Sequence, residues 1–106
     1  MPDLIPKDAV GIIFDAMNSR NFEPLLDILD PDAVFYFPGI KPLTGPRKIE
    51  AFLKILFHRY PRLHFTIGRL ITETNYVAVE WTNEGEDRKG VPYANAGVTV
   101  VELTNR

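Results

Sequence analysis

At Pro61 the spacing of apolar residues changes from a helical period of about 3.6 to a strand period of about 2, dividing the chain into a helical half and a stranded half. Ahead of the switch, Val10, Ile13, Phe14 and Met17 fall at i, i+3, i+4 and i+7. That spacing puts four apolar side chains on one face, Pro6 suits a first turn, and a helix is predicted from Pro6 to Ser19. Asn18-Ser19-Arg20-Asn21 interrupts the pattern. Asn21 is a candidate N-cap for a second helix carrying Phe22, Leu25, Leu26 and Leu29, which Pro31 stops near Asp30. Val34-Phe35-Tyr36-Phe37, closed by Pro38-Gly39, reads as a short strand. Ile49, Phe52, Leu53, Leu56 and Tyr60 recur at helical spacing between Gly45-Pro46 and Pro61, which predicts a third helix.

Beyond Pro61, Leu63, Phe65 and Ile67 alternate with His64 and Thr66, and Val77, Val79 and Trp81 alternate with Ala78, Glu80 and Thr82. Val98 to Leu103 is a third β-rich run, and the polar segments 73–75 and 83–90 are the expected turns. The element order is ααβαβββ. Helices and strands in separate runs argue an α+β domain with helices packed on one face of a curved antiparallel sheet. With no internal repeat or linker, residues 1–106 read as a single domain.

Several function classes are excluded at this level. Twelve Lys and Arg against fourteen Asp and Glu give a net charge of −2, so no overall electrostatic grip on nucleic acid or anionic membrane is expected. Charge is polarised along the chain, with acids concentrated in segment 1–32 and bases in segment 47–69. The basic segment lacks RNA-type aromatic interleaving and reads as a solvated face. The absence of cysteine removes disulfides, thiolate nucleophiles and Cys-ligated metal sites. Its two histidines, His58 and His64, have neither helical nor strand ligand spacing, so no metal is expected. No apolar run is long enough for a membrane span or a signal-peptide core, and the default expectation is a cytoplasmic protein.

Arg20-Asn21-Phe22-Glu23 ahead of Leu25-Leu26, Asp30-Pro31-Asp32-Ala33-Val34, Leu43-Thr44-Gly45-Pro46, Val77-Ala78-Val79-Glu80-Trp81 and Gly90-Val91-Pro92-Tyr93 occur in an order and spacing that carry a resemblance. Together they make the chain similar to the SnoaL-like, ketosteroid-isomerase-like branch of the nuclear-transport-factor-2 (NTF2-like) superfamily. The resemblance covers essentially the whole chain. It implies a cystatin-like cone around a largely apolar pocket for a small molecule, no organic cofactor or metal, and pairing into homodimers through the outer sheet face.

The family's catalytic groups do not carry over. The general-base aspartate of the ketosteroid isomerases falls on Phe37, their tyrosine near Ile13, and no aspartate lies between Val91 and Leu103. The arginine and aspartate of the limonene epoxide hydrolases align with Trp81 and Asn83. The acid of SnoaL-type cyclases sits on a last strand that would begin about where this sequence stops, so the expectation is that the final family strand is either missing or lies beyond Arg106.

Strand parity anchored on Phe37 and Trp81 turns Phe35, Val77 and Val79 inward with them and Glu80 outward; Tyr93, Asn95, Thr99 and Val101 share one parity on the last strand. With Met17, Leu53 and Phe57 from the helices, the expected ligand-binding set is Met17, Phe35, Phe37, Leu53, Phe57, Trp81, Tyr93 and Asn95. Glu80, the only mid-strand carboxylate in this reading, is the sole candidate catalytic acid or base, although its parity points it away from the pocket. The expected function is binding of a small apolar or aromatic metabolite, as part of a lyase, cyclase, isomerase or hydrolase. The alternative is a non-catalytic ligand-sensing or dimerisation module.

Overall fold

A computed structural model describes residues 5–104. The elements run α1 (Pro6–Ser19), α2 (Glu23–Ile28), β1 (Val34–Phe35), β2 (Leu43–Thr44), α3 (Pro46–Arg59), β3 (His64–Glu73), β4 (Tyr76–Glu86) and β5 (Pro92–Glu102). β3, β4 and β5 form a curved antiparallel sheet in that order, and β1 pairs with β2 in a separate two-stranded ribbon. The α+β architecture read from the sequence is the one observed, with β2 added.

The helices lie where apolar periodicity puts them. α1 buries Ala9, Val10, Phe14 and Ala16, and α3 buries Ile49, Leu53 and Phe57. α2 starts one residue beyond a Phe22 cap, while Asn21 Oδ1 accepts the Glu23 N–H at 3.4 Å. It closes at Ile28 rather than near Asp30, since Leu29 is already extended ahead of Pro31.

The strands are longer than propensity suggests. β4 continues through Asn83-Glu84-Gly85-Glu86 because β5 pairs with it from Glu102 back to Pro92, and ladder pairing overrides the weak strand preference of those residues. The turn between them therefore shrinks to residues 87–91. Asp87 organises that turn, accepting the Lys89 and Val91 N–H groups on Oδ1 at 2.8 and 3.0 Å. The first strand stops at Phe35, two residues short of the Val34–Phe37 reading, where its partner β2 runs out.

β3 carries a bulge: Ile67 pairs with Trp81 and Leu70 with Val79, so Gly68 and Arg69 together oppose Glu80. A Cβ at Gly68 would lie 3.2 Å from the Glu80 carbonyl oxygen, so any larger residue at the bulge would have to push β4 back slightly.

The core has two parts. Val10 and Phe14 of α1 pack on Val77 and Val79, the latter two wholly buried, and close the sheet against the first helix. Ala16, Phe22, Leu25, Ile49, Leu53, Phe57 and Leu63 join the three helices. Full burial of side chains this size stabilises by roughly 1.5–3 kcal/mol each. Asn18 adds a polar clamp, donating to the Phe65 carbonyl at 2.9 Å and accepting the Phe65 N–H at 2.8 Å, and so fixes α1 on the first long strand.

Candidate functional site

On the inner sheet face the β4–β5 ladder sets Trp81 opposite Gly97, Asn83 opposite Asn95 and Gly85 opposite Tyr93. These rows, together with Leu56, Tyr60, Leu63, Phe65, Phe37 and the turn residues Asp87, Val91 and Pro92, enclose an open cavity of about 500 Å³. That volume is within the usual range for small-molecule sites. Phe37 and Val91, 38% and 55% exposed, contribute apolar surface that is open to solvent.

Trp81 forms one wall. Its indole lies over Gly97, where an added Cβ would come within 2.5 Å of Cζ2, so only glycine leaves room for the ring. The indole N–H donates to Thr99 Oγ1 at 2.9 Å, and Phe65 meets the ring edge-on at 5.1 Å. Tyr60 and Tyr93 form a second edge-to-face pair at 5.2 Å. The Tyr93 hydroxyl is buried and has no hydrogen-bond partner among the described residues. Burial pushes its pKa up; Tyr60 and Asp87 act in the same direction, and Arg20 opposes them, so the phenol is neutral at physiological pH.

The polar groups are few. Asn95 Nδ2 donates to Asn83 Oδ1 at 3.2 Å across the ladder. Asp87 is the one carboxylate among the lining residues; Oδ1 is taken by the turn, and Oδ2 has no hydrogen-bond partner among the described residues. Arg88, next to it, ties the hairpin to α3 by donating to the His58 carbonyl at 3.1 Å.

Of the eight residues expected to bind ligand, Phe37, Trp81, Tyr93 and Asn95 line the cavity. Leu53 and Phe57 belong to the buried helical core, Phe35 packs on Phe37 and Phe52, and Met17 packs against both core clusters. Glu80 is on the outer sheet face, gripped by Arg69 through Nε at 2.6 Å and Nη2 at 3.1 Å, and that hydrogen bonding holds its carboxyl below the usual range. Eight other residues line the cavity outside the expected set, and among them Asn83 and Asp87 carry its remaining side-chain amide and carboxylate. Both lie in the segment 83–90 expected as a turn; continuing the period of Trp81 two residues further would have turned Asn83 inward, whereas Asp87 lies beyond the end of β4. No group of three or more His, Cys, Asp and Glu side chains among the described residues is placed to hold a metal ion.

The sequence profile of the SnoaL-like domain matches residues 12–106. The chain belongs to the SnoaL-like family. Solved structures place this SnoaL-like domain in the NTF2-like, cystatin-like fold group at low sequence identity. A loop-truncation variant of IdmH superposes with a TM-score of 0.84 at 19% identity, over 95% of this chain and 84% of that one. TerC, co-crystallised with polyporic acid, gives a TM-score of 0.84 at 18% identity, over 93% and 82% of the two chains. A protein of ketosteroid isomerase-like fold from Catenulispora acidiphila, in complex with trimethylamine, gives 0.84 at 18%, over 95% and 78%. A search of the curated proteins returns no match.

Proposed function

We propose that this SnoaL-like domain binds a small, largely apolar ring compound in the cavity between α3 and the β4–β5 hairpin. The observation that carries the reading is the cavity itself: aromatic walls from Phe65, Trp81, Tyr60 and Tyr93, with a polar edge made by Asn83, Asn95 and Asp87. The co-crystallisation of TerC with polyporic acid supports the same reading by analogy of fold. The test is a thermal-shift panel of neutral aromatic and alicyclic compounds, followed by a ¹⁵N–¹H correlation titration. A ligand present at a hundred times its dissociation constant adds about 2.7 kcal/mol of stability, and the Trp81 indole N–H resonance should move with it. A panel without stabilisation and with that resonance unmoved defeats the reading. Glu80→Gln should leave binding unchanged, because Glu80 faces away from the cavity.

A catalytic version of this reading, as a lyase, cyclase, isomerase or hydrolase, rests on Asp87, whose Oδ2 is the unspent proton acceptor of the lining. Asp87→Asn retains the Oδ1 acceptor that holds the turn. It therefore separates the two versions: turnover of a bound compound lost with binding retained favours catalysis, and turnover retained removes Asp87 from it.

The outer sheet face fits a second copy of the chain. Ile71, Tyr76, Val98 and Val100 stand exposed there, beside a depression of about 400 Å³ whose lining includes Thr66, Thr82, Glu84, Ala94 and Ala96. Exposed apolar side chains beside a hollow of mixed polar and apolar lining are the features that support a two-fold contact there.

A further inference from the structure

The Asn83–Asn95 pair is an unusual use of two inward positions on a sheet face whose neighbours are Trp81, Val79 and Val77. A single hydrogen bond joins the two amides at 3.2 Å. That bond spends one N–H and one carbonyl lone pair. The remaining N–H groups of both amides and the carbonyl oxygen of Asn95 have no side-chain partner among the described residues, and both residues line the cavity. Whichever amide donates, the inventory left over is the same: a donor beside an acceptor, both uncharged.

The only formal charge among the lining residues is negative, on Asp87. Arg20, whose charge favours ionisation of Tyr93, spends its guanidinium on backbone carbonyls and does not line the cavity. An anionic ligand would therefore meet a carboxylate and no cation among the lining residues, while a neutral polar edge would meet matched partners.

We propose that the Asn83–Asn95 pair makes the site selective for an uncharged ring compound whose edge carries a carbonyl with an O–H or N–H next to it, such as a carboxamide, a lactam or a hydroxy ketone. The inference rests on the binding reading above and adds its ligand class. The carbonyl accepts from one amide N–H, and the neighbouring donor is taken by the Asn95 oxygen. The aromatic walls hold the ring.

The test compares ligands that share a ring and differ only at that edge: 2-naphthamide, methyl 2-naphthoate, 2-naphthoate and naphthalene, titrated into the full chain and followed by the side-chain amide resonances. The expected result is 2-naphthamide binding about tenfold or more tightly than the ester and the carboxylate, the size of effect that one or two matched hydrogen bonds give. Asn83→Thr and Asn95→Thr should bring the amide and the ester to within about threefold of each other. Naphthalene or the ester binding as tightly as the amide to the unaltered chain, or the carboxylate binding tightest, overturns the ligand class while leaving the binding reading in place. No binding by any of the four overturns both. The ranking on the unaltered chain decides the matter even where a Thr variant fails to fold.

Discussion

Arg20 ends α1 with φ 63°, in the left-handed region, and its side chain is the most heavily bonded cation among the described residues. Its guanidinium donates to Met17 O at 2.7 Å, Leu63 O at 2.7 Å, Pro61 O at 3.0 Å and Asn18 O at 3.3 Å, and stands 4.1 Å from the centre of the Phe57 ring. It thereby fastens the end of α1 to the turn between α3 and β3, directly behind the cavity. Three short charge-assisted bonds at ~1 kcal/mol each and ~0.5–1 kcal/mol from the ring contact sum to ~3–4 kcal/mol. Water reaching the freed carbonyls returns part of that, so Arg20→Ala should lose about 2–3 kcal/mol. Backbone strain separates the variants further. Alanine in the left-handed region costs about 1 kcal/mol that glycine does not, so Arg20→Gly should be more stable than Arg20→Ala by about that amount, the reverse of the ranking inside a helix. Urea unfolding followed by circular dichroism, with an unchanged slope, measures both differences. A loss below about 0.5 kcal/mol for Arg20→Ala, or a glycine variant less stable than the alanine one, would refute this account of the bolt.

Removing the partnerless hydroxyl with Tyr93→Phe should leave stability unchanged or raise it by up to about 1 kcal/mol; a loss above that means the oxygen is hydrogen-bonded in solution. Gly97→Ala forces the indole of Trp81 off its seat and should cost about 1–3 kcal/mol in thermal unfolding while weakening ligand binding, and an unaltered variant would contradict the packing described. Val98→Lys with Val100→Lys should convert a dimer to monomer in light scattering; a species whose mass is independent of these changes counts against the outer-face contact.

The helical half was legible because three apolar stripes of period about 3.6 are bounded by Pro6, Pro31, Pro46 and Pro61. The stranded half was legible in number and sense but not in extent. Residues 83–86 have turn-like composition, and only their cross-strand partners 92–95 make them strand. The bulge at Gly68 and Arg69 left one trace, a glycine inside an alternating run. For the site, period 2 told which face Trp81, Tyr93 and Asn95 occupy, and the same rule turned Glu80 outward. Period says nothing about depth along an element. Leu53 and Phe57 share a face of α3 with Leu56 and Tyr60, yet the first two sit against α1 and α2 in the core, and the last two reach the cavity. Asp87 was out of reach because a five-residue turn has no period to read.

The chain contains one tryptophan, and it is a wall of the cavity. Near-ultraviolet emission excited at the indole band therefore originates wholly from the site, from a ring whose N–H is already committed to Thr99. Its colour and lifetime report the polarity and quenching of whatever sits against that ring, so occupancy can be followed optically with no label attached.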